Sequence, residues 1–124
     1  MKIKKLVKHK DKRGEIINIL SKKFQSCAVI TSKKNTVRAN HYHKKDWHYC
    51  YVLSGKIKYI YSNLNNKRKH YYIVKKGDLF YTPSKLIHAM HFLENTTFIT
   101  LGGKTRSQSS YENDLVRVSD FYVP

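Results

Sequence analysis

Acidic residues are scarce in this chain. Eight Asp and Glu face 25 Lys and Arg across 124 residues, a formal net charge of +17. Such a surface repels basic partners and attracts anions: nucleotides, phosphorylated sugars, nucleic acid or acidic membrane. The excess is mostly lysine spread along the chain, which a coding bias toward lysine also produces. No nucleic-acid motif accompanies it, so nucleic acid is not expected as a partner. Cysteine is nearly absent. Cys27 and Cys50 alone make no disulfide framework and fit a reducing compartment, so a cytoplasmic location is expected. No apolar run approaches the ~18 residues that cross a bilayer. The basic N-terminus also lacks the apolar stretch of a secretory signal. A membrane partner is therefore not expected.

The apolar content is ample. Hydrophobic residues make up 40% and aromatic residues 13%, including ten tyrosines and five phenylalanines. This composition supports a folded core and favours strands over helices. No repeat, linker or composition break divides residues 1–124, so one domain is expected. The pattern is of short strands separated by turn signals, as in a sandwich or barrel. A turn at residues 11–14 leads to a first strand over residues 15–20. Further strands are predicted over 27–31, 36–43, 48–53, 56–61, 71–75, 79–82, 87–92 and 97–101. A polar hairpin loop is predicted over 62–70. Ser109 and Glu112 have capping-box spacing, which predicts one short C-terminal helix near residues 110–116.

Four histidines share inward faces by strand parity, because side chains alternate along a strand. His41 and His43 are two residues apart. His48 and Cys50 share a face on the next strand, as do His88 and Met90 on a later one. His91 is three residues from His88 and faces the other way; His9 and His70 cannot readily join the set. Converging neutral imidazoles are good ligands for a divalent metal such as Zn, Fe, Ni or Mn. His41, His43, His48 and His88 are therefore the candidate metal ligands. Cys50 is expected to be a buried, inert thiol near them. Trp47, between His43 and His48, is expected to rim the mouth. Tyr59 and Tyr61 are read as strand residues of the core or of the pocket wall.

These positions resemble the two motifs of the cupin superfamily. In the first motif, Asn35 stands for the leading glycine, followed by His41-Tyr42-His43, by His48 in place of the usual acidic residue, and by Gly55. In the second, Gly77, Pro83 and His88 keep their spacing, while Lys85 and Phe92 replace a glycine and an asparagine. The resemblance implies an all-β fold, a double-stranded β-helix (the cupin jelly-roll barrel).

A narrower resemblance covers nearly the whole chain. Arg38-Ala39-Asn40-His41-Tyr42-His43-Lys44 looks like the R-G-x-H-x-H-K motif of dTDP-sugar 3,4-ketoisomerases, with Ala39 in place of glycine. Its first part is also similar to the R-G-x-H of dTDP-4-dehydrorhamnose 3,5-epimerases. Asp11-Lys12-Arg13-Gly14 is similar to the opening of both families, and Tyr111, Asp114 and Arg117 to the ketoisomerase tail. Those enzymes act as homodimers on nucleotide-linked keto sugars, without metal. The resemblance implies His41 and His43 as catalytic residues, Arg38 as a substrate-binding residue and an anionic nucleotide sugar as substrate. It also implies a homodimer built partly by the strand over 15–20, and a role in polysaccharide biosynthesis.

The residues themselves leave three functions open. One is an isomerase or epimerase, in which a histidine removes a proton beside a carbonyl. A second is an all-histidine metal cupin of another class, an oxygenase or lyase. A third is a non-catalytic sugar-binding module. A histidine bound to metal cannot serve as a free base, so the first two conflict there. Arg38, three residues from His41, would face away from it on a regular strand. It reaches the same ligand only if the strand is bulged or the ligand lies over the rim.

Overall fold

The structure is a computed structural model that describes residues 1–66 and 68–124. Lys67, in the polar loop expected over 62–70, lies outside the described residues. The strands are β1 (Lys2–Lys4), β2 (Val7–Asp11), β3 (Gly14–Asn18), β4 (Ser26–Ser32), β5 (Val37–His43) and β6 (His48–Ser54). They continue as β7 (Lys56–Asn63), β8 (His70–Lys75), β9 (Leu79–Thr82), β10 (Leu86–Phe92) and β11 (Thr96–Gly102), then helix α1 (Gln108–Asp114) and strand β12 (Leu115–Arg117).

Two five-stranded antiparallel sheets enclose the core. One runs β1-β9-β6-β11-β4 and the other β12-β5-β10-β7-β8. Strands distant in sequence lie side by side, as in a double-stranded β-helix. Alternation along each strand sends Val52, Ile57, Tyr59, Val74, Phe80, Phe92 and Phe98 into one cluster between the sheets. A smaller apolar cluster lies on the outer face of the second sheet, where Phe121 covers Ile60 and Ala89. Gly55 turns the chain between β6 and β7 at φ +100°, and a Cβ there would meet the Asn95 carbonyl at 2.6 Å.

The N-terminus departs from the expectation. The strand expected over 15–20 is Gly14–Asn18, and it pairs with Val7–Asp11 in a separate two-stranded hairpin. β1 was not expected either, and it pairs with β9. Both missed strands are rich in lysine, which masks a strand signal that here comes only from cross-strand pairing. The helix also differs. It begins at Gln108, and its N-cap Ser107 makes no side-chain cap bond. It ends before Leu115, because Leu115 is buried and pairs with His43 across β5. The Ser109–Glu112 capping box is therefore not formed.

Candidate functional site

The site begins with an irregularity in β5. His88 pairs with His41, but Ala89 pairs with Ala39, so Asn40 is an extra residue bulged out of the ladder. Ala39 and Asn40 take left-handed backbone angles, φ 72° and 53°. A bulge shifts side-chain parity by one residue. Arg38 thus joins His41 in lining a single cavity. Asn40, turned outward, holds the C-terminal segment: its side chain donates to the Tyr122 carbonyl at 3.0 Å and accepts from the Tyr122 N–H at 3.2 Å.

Asn35, Ala39 and Lys85, the three residues that replace motif glycines, all have positive φ, 68°, 72° and 64°. The backbone thus keeps a geometry that suits glycine. Asparagine tolerates it, whereas alanine and lysine are strained by ~1–2 kcal/mol. Ala39→Gly and Lys85→Gly should therefore each stabilise the protein. The flexible unfolded state of glycine offsets part of the relief, which leaves about 0.5–1 kcal/mol, or about 2–4 °C in Tm. Calorimetry that shows a lower Tm for both would refute the strain argument.

Four imidazoles from β5, β6 and β10 meet inside the barrel, each 3–6% exposed. Ring centroids lie 4.8 Å apart for His41–His43, 4.9 Å for His41–His88 and 4.8 Å for His43–His48. Two of the rings are oriented by fixed acceptors. His88 Nδ1 donates to the Leu86 carbonyl at 2.9 Å, and His43 Nδ1 donates to Asp114 Oδ2 at 3.1 Å. Both arrangements place the proton on Nδ1 and leave Nε2 with a free lone pair. Tyr59 stacks on His88 with centroids 5.7 Å apart.

Burial dominates the charge state of these rings. Desolvation, aided by neighbouring cationic groups, pulls His41 and His48 down to about 2 and His88 to about 4. Burial lowers His43 as well, although its bond to Asp114 and the charge of Asp46 oppose the shift. The cluster is neutral at physiological pH, the state required of both a ligand and a base.

The four histidines do not form one equidistant set. His41, His43 and His88 bring ligand atoms within 4.8 Å of one another, and a second such group joins His43 and His48 with Asp46. His48 Nε2 lies 3.3 Å from Asp46 Oδ2, but it is not aligned for a hydrogen bond. Two carboxylates thus serve the site, Asp46 buried and Asp114 half-buried, and sequence parity assigned a role to neither. Asp46 sits in the β5–β6 turn, outside any alternation. Its Oδ1 accepts from the Trp47 and Lys104 N–H groups. Asp114 is 71 residues from the histidine that it orients. Its only sequence signal is its place in the tail that resembles the ketoisomerases.

Other expected residues fall as follows. His91 is on the outer face, with Nδ1 bonded to the Tyr122 hydroxyl at 2.8 Å. Cys50 is buried beside the cavity, its thiol pushed up to about 12 by burial. Tyr59 belongs to the core and also lines the cavity, whereas Tyr61 packs against the core. Trp47 does not rim the mouth. It packs on Gly103, where a Cβ would lie 2.4 Å from its ring, and meets Tyr49 edge-on. The missing Cβ of Gly103 leaves room for the half-buried indole.

The cavity has a volume of about 370 Å³, and besides the histidines Arg38, Arg106 and Arg117 line it. No Asp or Glu is among its lining residues. Low-dielectric walls with charge of one sign focus the field on an anionic ligand.

A double-stranded β-helix with inward histidines from three strands defines the cupin class. Residues 28–101 match the family described as the cupin domain, and the chain belongs to that family. No curated protein matches it. Among solved structures, it is similar to QdtA, a sugar 3,4-ketoisomerase from Thermoanaerobacterium thermosaccharolyticum solved in complex with TDP. The identity is 19% and the TM-score 0.78, over 98% of this chain and 90% of that one. The TDP-quinovose 3,4-ketoisomerase WlaRB from Campylobacter jejuni is similar with 19% identity and TM-score 0.80, over 97% and 95%. The capsular polysaccharide assembling protein CapF from Staphylococcus aureus matches with 19% identity and TM-score 0.69, over 93% of this chain but 33% of CapF. At these identities the likeness establishes the fold.

Proposed function

We propose that residues 1–124 act as one cytoplasmic domain that isomerises a nucleotide-linked keto sugar in polysaccharide biosynthesis. The observation that carries this reading is the His43–Asp114 pair, which faces a cavity walled by arginines. His43, neutral and fixed with its proton on Nδ1, is the base. It removes the proton from the carbon beside the sugar carbonyl, and the C–H electrons move to form an enediolate. The proton returns to the former carbonyl carbon, the hydroxyl proton of the neighbouring carbon passes to the former carbonyl oxygen, and the carbonyl reappears on that neighbour. No oxidant is needed. His41, also neutral, donates a hydrogen bond or a proton to the oxygen on which charge develops. Arg38 holds the diphosphate; its bonds to Ser32 Oγ at 2.6 Å and to the Thr31 carbonyl at 3.0 Å fix the guanidinium at the opening.

The test is a calorimetric titration with dTDP at low and moderate salt. Arg38→Ala should weaken binding about ten- to a hundredfold, the worth of a charged hydrogen bond. Nonspecific attraction to the basic surface would instead vanish with salt and ignore a single arginine. That outcome would remove the nucleotide-sugar reading.

The donor set favours a second reading. His41, His43 and His88 would hold a divalent metal, and His48 and Asp46 would flank it. Nδ1 of His43 and of His88 is already engaged, as is usual for ligating histidines. Such an ion would supply Lewis acidity toward an oxygen ligand. Elemental analysis of untagged protein decides the matter. Alanine at His41, His43 or His88 should lower occupancy most, and at His48 less. His91→Ala should leave it unchanged, because that ring is held on the outer face. Wild-type protein free of metal would dismiss this reading.

We also assign a homodimer. The β2–β3 hairpin pairs with neither large sheet, and Val7 and Ile16 on it are 55% and 70% exposed. Exposed strand edges of this kind are normally covered. A mass of one chain in light scattering would refute it. No helix among the described residues is long and apolar enough to cross a membrane.

A further inference from the structure

Three arginines line the cavity, and they are held differently. Arg117 is bound through one nitrogen to both oxygens of Glu112, at 2.9 and 3.0 Å. Arg38 is tethered by Ser32 and Thr31. Arg106 has no acidic partner among the described residues. Its Nε is buried and makes no hydrogen bond. Its guanidinium lies 5.0 Å from the centre of the Tyr111 ring, which in turn packs edge-on against His43 at 5.8 Å. This stack carries the positive charge toward the histidine cluster. The Arg106 charge contributes to the depressed basicity of both His43 and His48.

A buried N–H without a partner is costly and rare, and it calls for a reason. A guanidinium stacked on an aromatic face keeps its in-plane donors free for an oxygen ligand. We propose that Arg106 is an oxyanion-binding residue of the cavity, aimed at an anionic ligand oxygen held beside His43. The inference rests on the cavity being the substrate site, and it adds the chemistry of the ligand's inner end. That end carries either a permanent charge, as in a phosphate, or the charge that develops on an enediolate. The sequence offered no sign of it, because Arg106 lies in a polar connection between β11 and α1 that has no periodicity.

The experiment uses full-length protein treated with EDTA, in about 150 mM salt to screen the basic surface. Two probes are titrated: inorganic phosphate, and tropolonate, a planar anion shaped like a cis-enediolate. Wild type should bind at least one. Arg106→Gln should weaken that binding about ten- to a hundredfold, and Arg106→Lys, which keeps the charge, should recover part of it. Loss confined to tropolonate assigns the residue to the developing charge, and loss confined to phosphate assigns it to a fixed one. Equal affinity in wild type and Arg106→Gln overturns the proposal. So does binding to neither probe, or binding that appears only when metal is restored. Titration of the same proteins with dTDP separates the two ideas. Arg106→Gln should leave dTDP affinity unchanged where only tropolonate binding is lost and should lower it where phosphate binding is lost, whereas absence of dTDP binding in wild type would fault the nucleotide-sugar reading instead.

Discussion

Acidification from pH 7 to pH 5 is expected to remove about 6 kcal/mol of stability from the metal-free protein. In the fold His41 and His48 are depressed to about 2 and His88 to about 4, against an ordinary value of 6.5. The unfolded chain therefore binds a proton at each of these positions as pH falls below 6.5, and the folded chain does not. Their contribution is fully present above 6.5 and is lost progressively toward the folded values. Each such histidine adds a slope of ~1.4 kcal/mol per pH unit. The loss is a large fraction of the ~5–15 kcal/mol that holds an ordinary domain together. Urea midpoints measured in EDTA between pH 7.5 and 5 test this. A flat profile would mean that the rings are not buried as the structure places them. His88→Gln should flatten the slope by about one histidine's share.

Replacement of His43 by asparagine is expected to lower turnover of a TDP-4-keto-6-deoxy sugar by about 10²–10⁴-fold, the usual worth of a positioned base. Asparagine keeps a donor for Asp114 but has no proton-accepting nitrogen. The bond at 3.1 Å between His43 and Asp114 can thus persist in altered form while the chemistry stops. Product is followed by NMR in deuterium oxide, in which wild type should also place deuterium on the carbon that receives the proton. His91→Gln, on the outer face, serves as the control of unchanged activity. Full activity in His43→Asn would move the base to another residue, and absence of turnover in wild type would favour the binding-module or metal reading. The proposed substrate is a nucleotide-linked keto sugar, so a TDP-4-keto-6-deoxy sugar is the first compound to try.

Much of the barrel was legible from local pattern. Alternation has a period of two, and each strand carries it independently of its neighbours. That rule placed His41, His43, His48 and His88 inside and His91 outside before any strand pairing was known. Turn chemistry was equally local at Asn35 and Lys85, whose positive φ angles fall in short connections between strands. The family motifs added the double-stranded β-helix.

What local pattern could not supply depends on contacts between distant segments. The side of β5 on which Arg38 lies was decided by the Asn40 bulge, where the side chain is bonded to the C-terminal segment 82 residues away. The division of the histidines into two overlapping groups was decided by how the two sheets face each other. Asp46, Asp114 and Arg106 sit in turns, at a helix end and in a connection, where no periodicity marks a side chain as inward. Parity tells which way a side chain points from its own strand. Only the packing of two sheets and a helix around one cavity decides what it meets there.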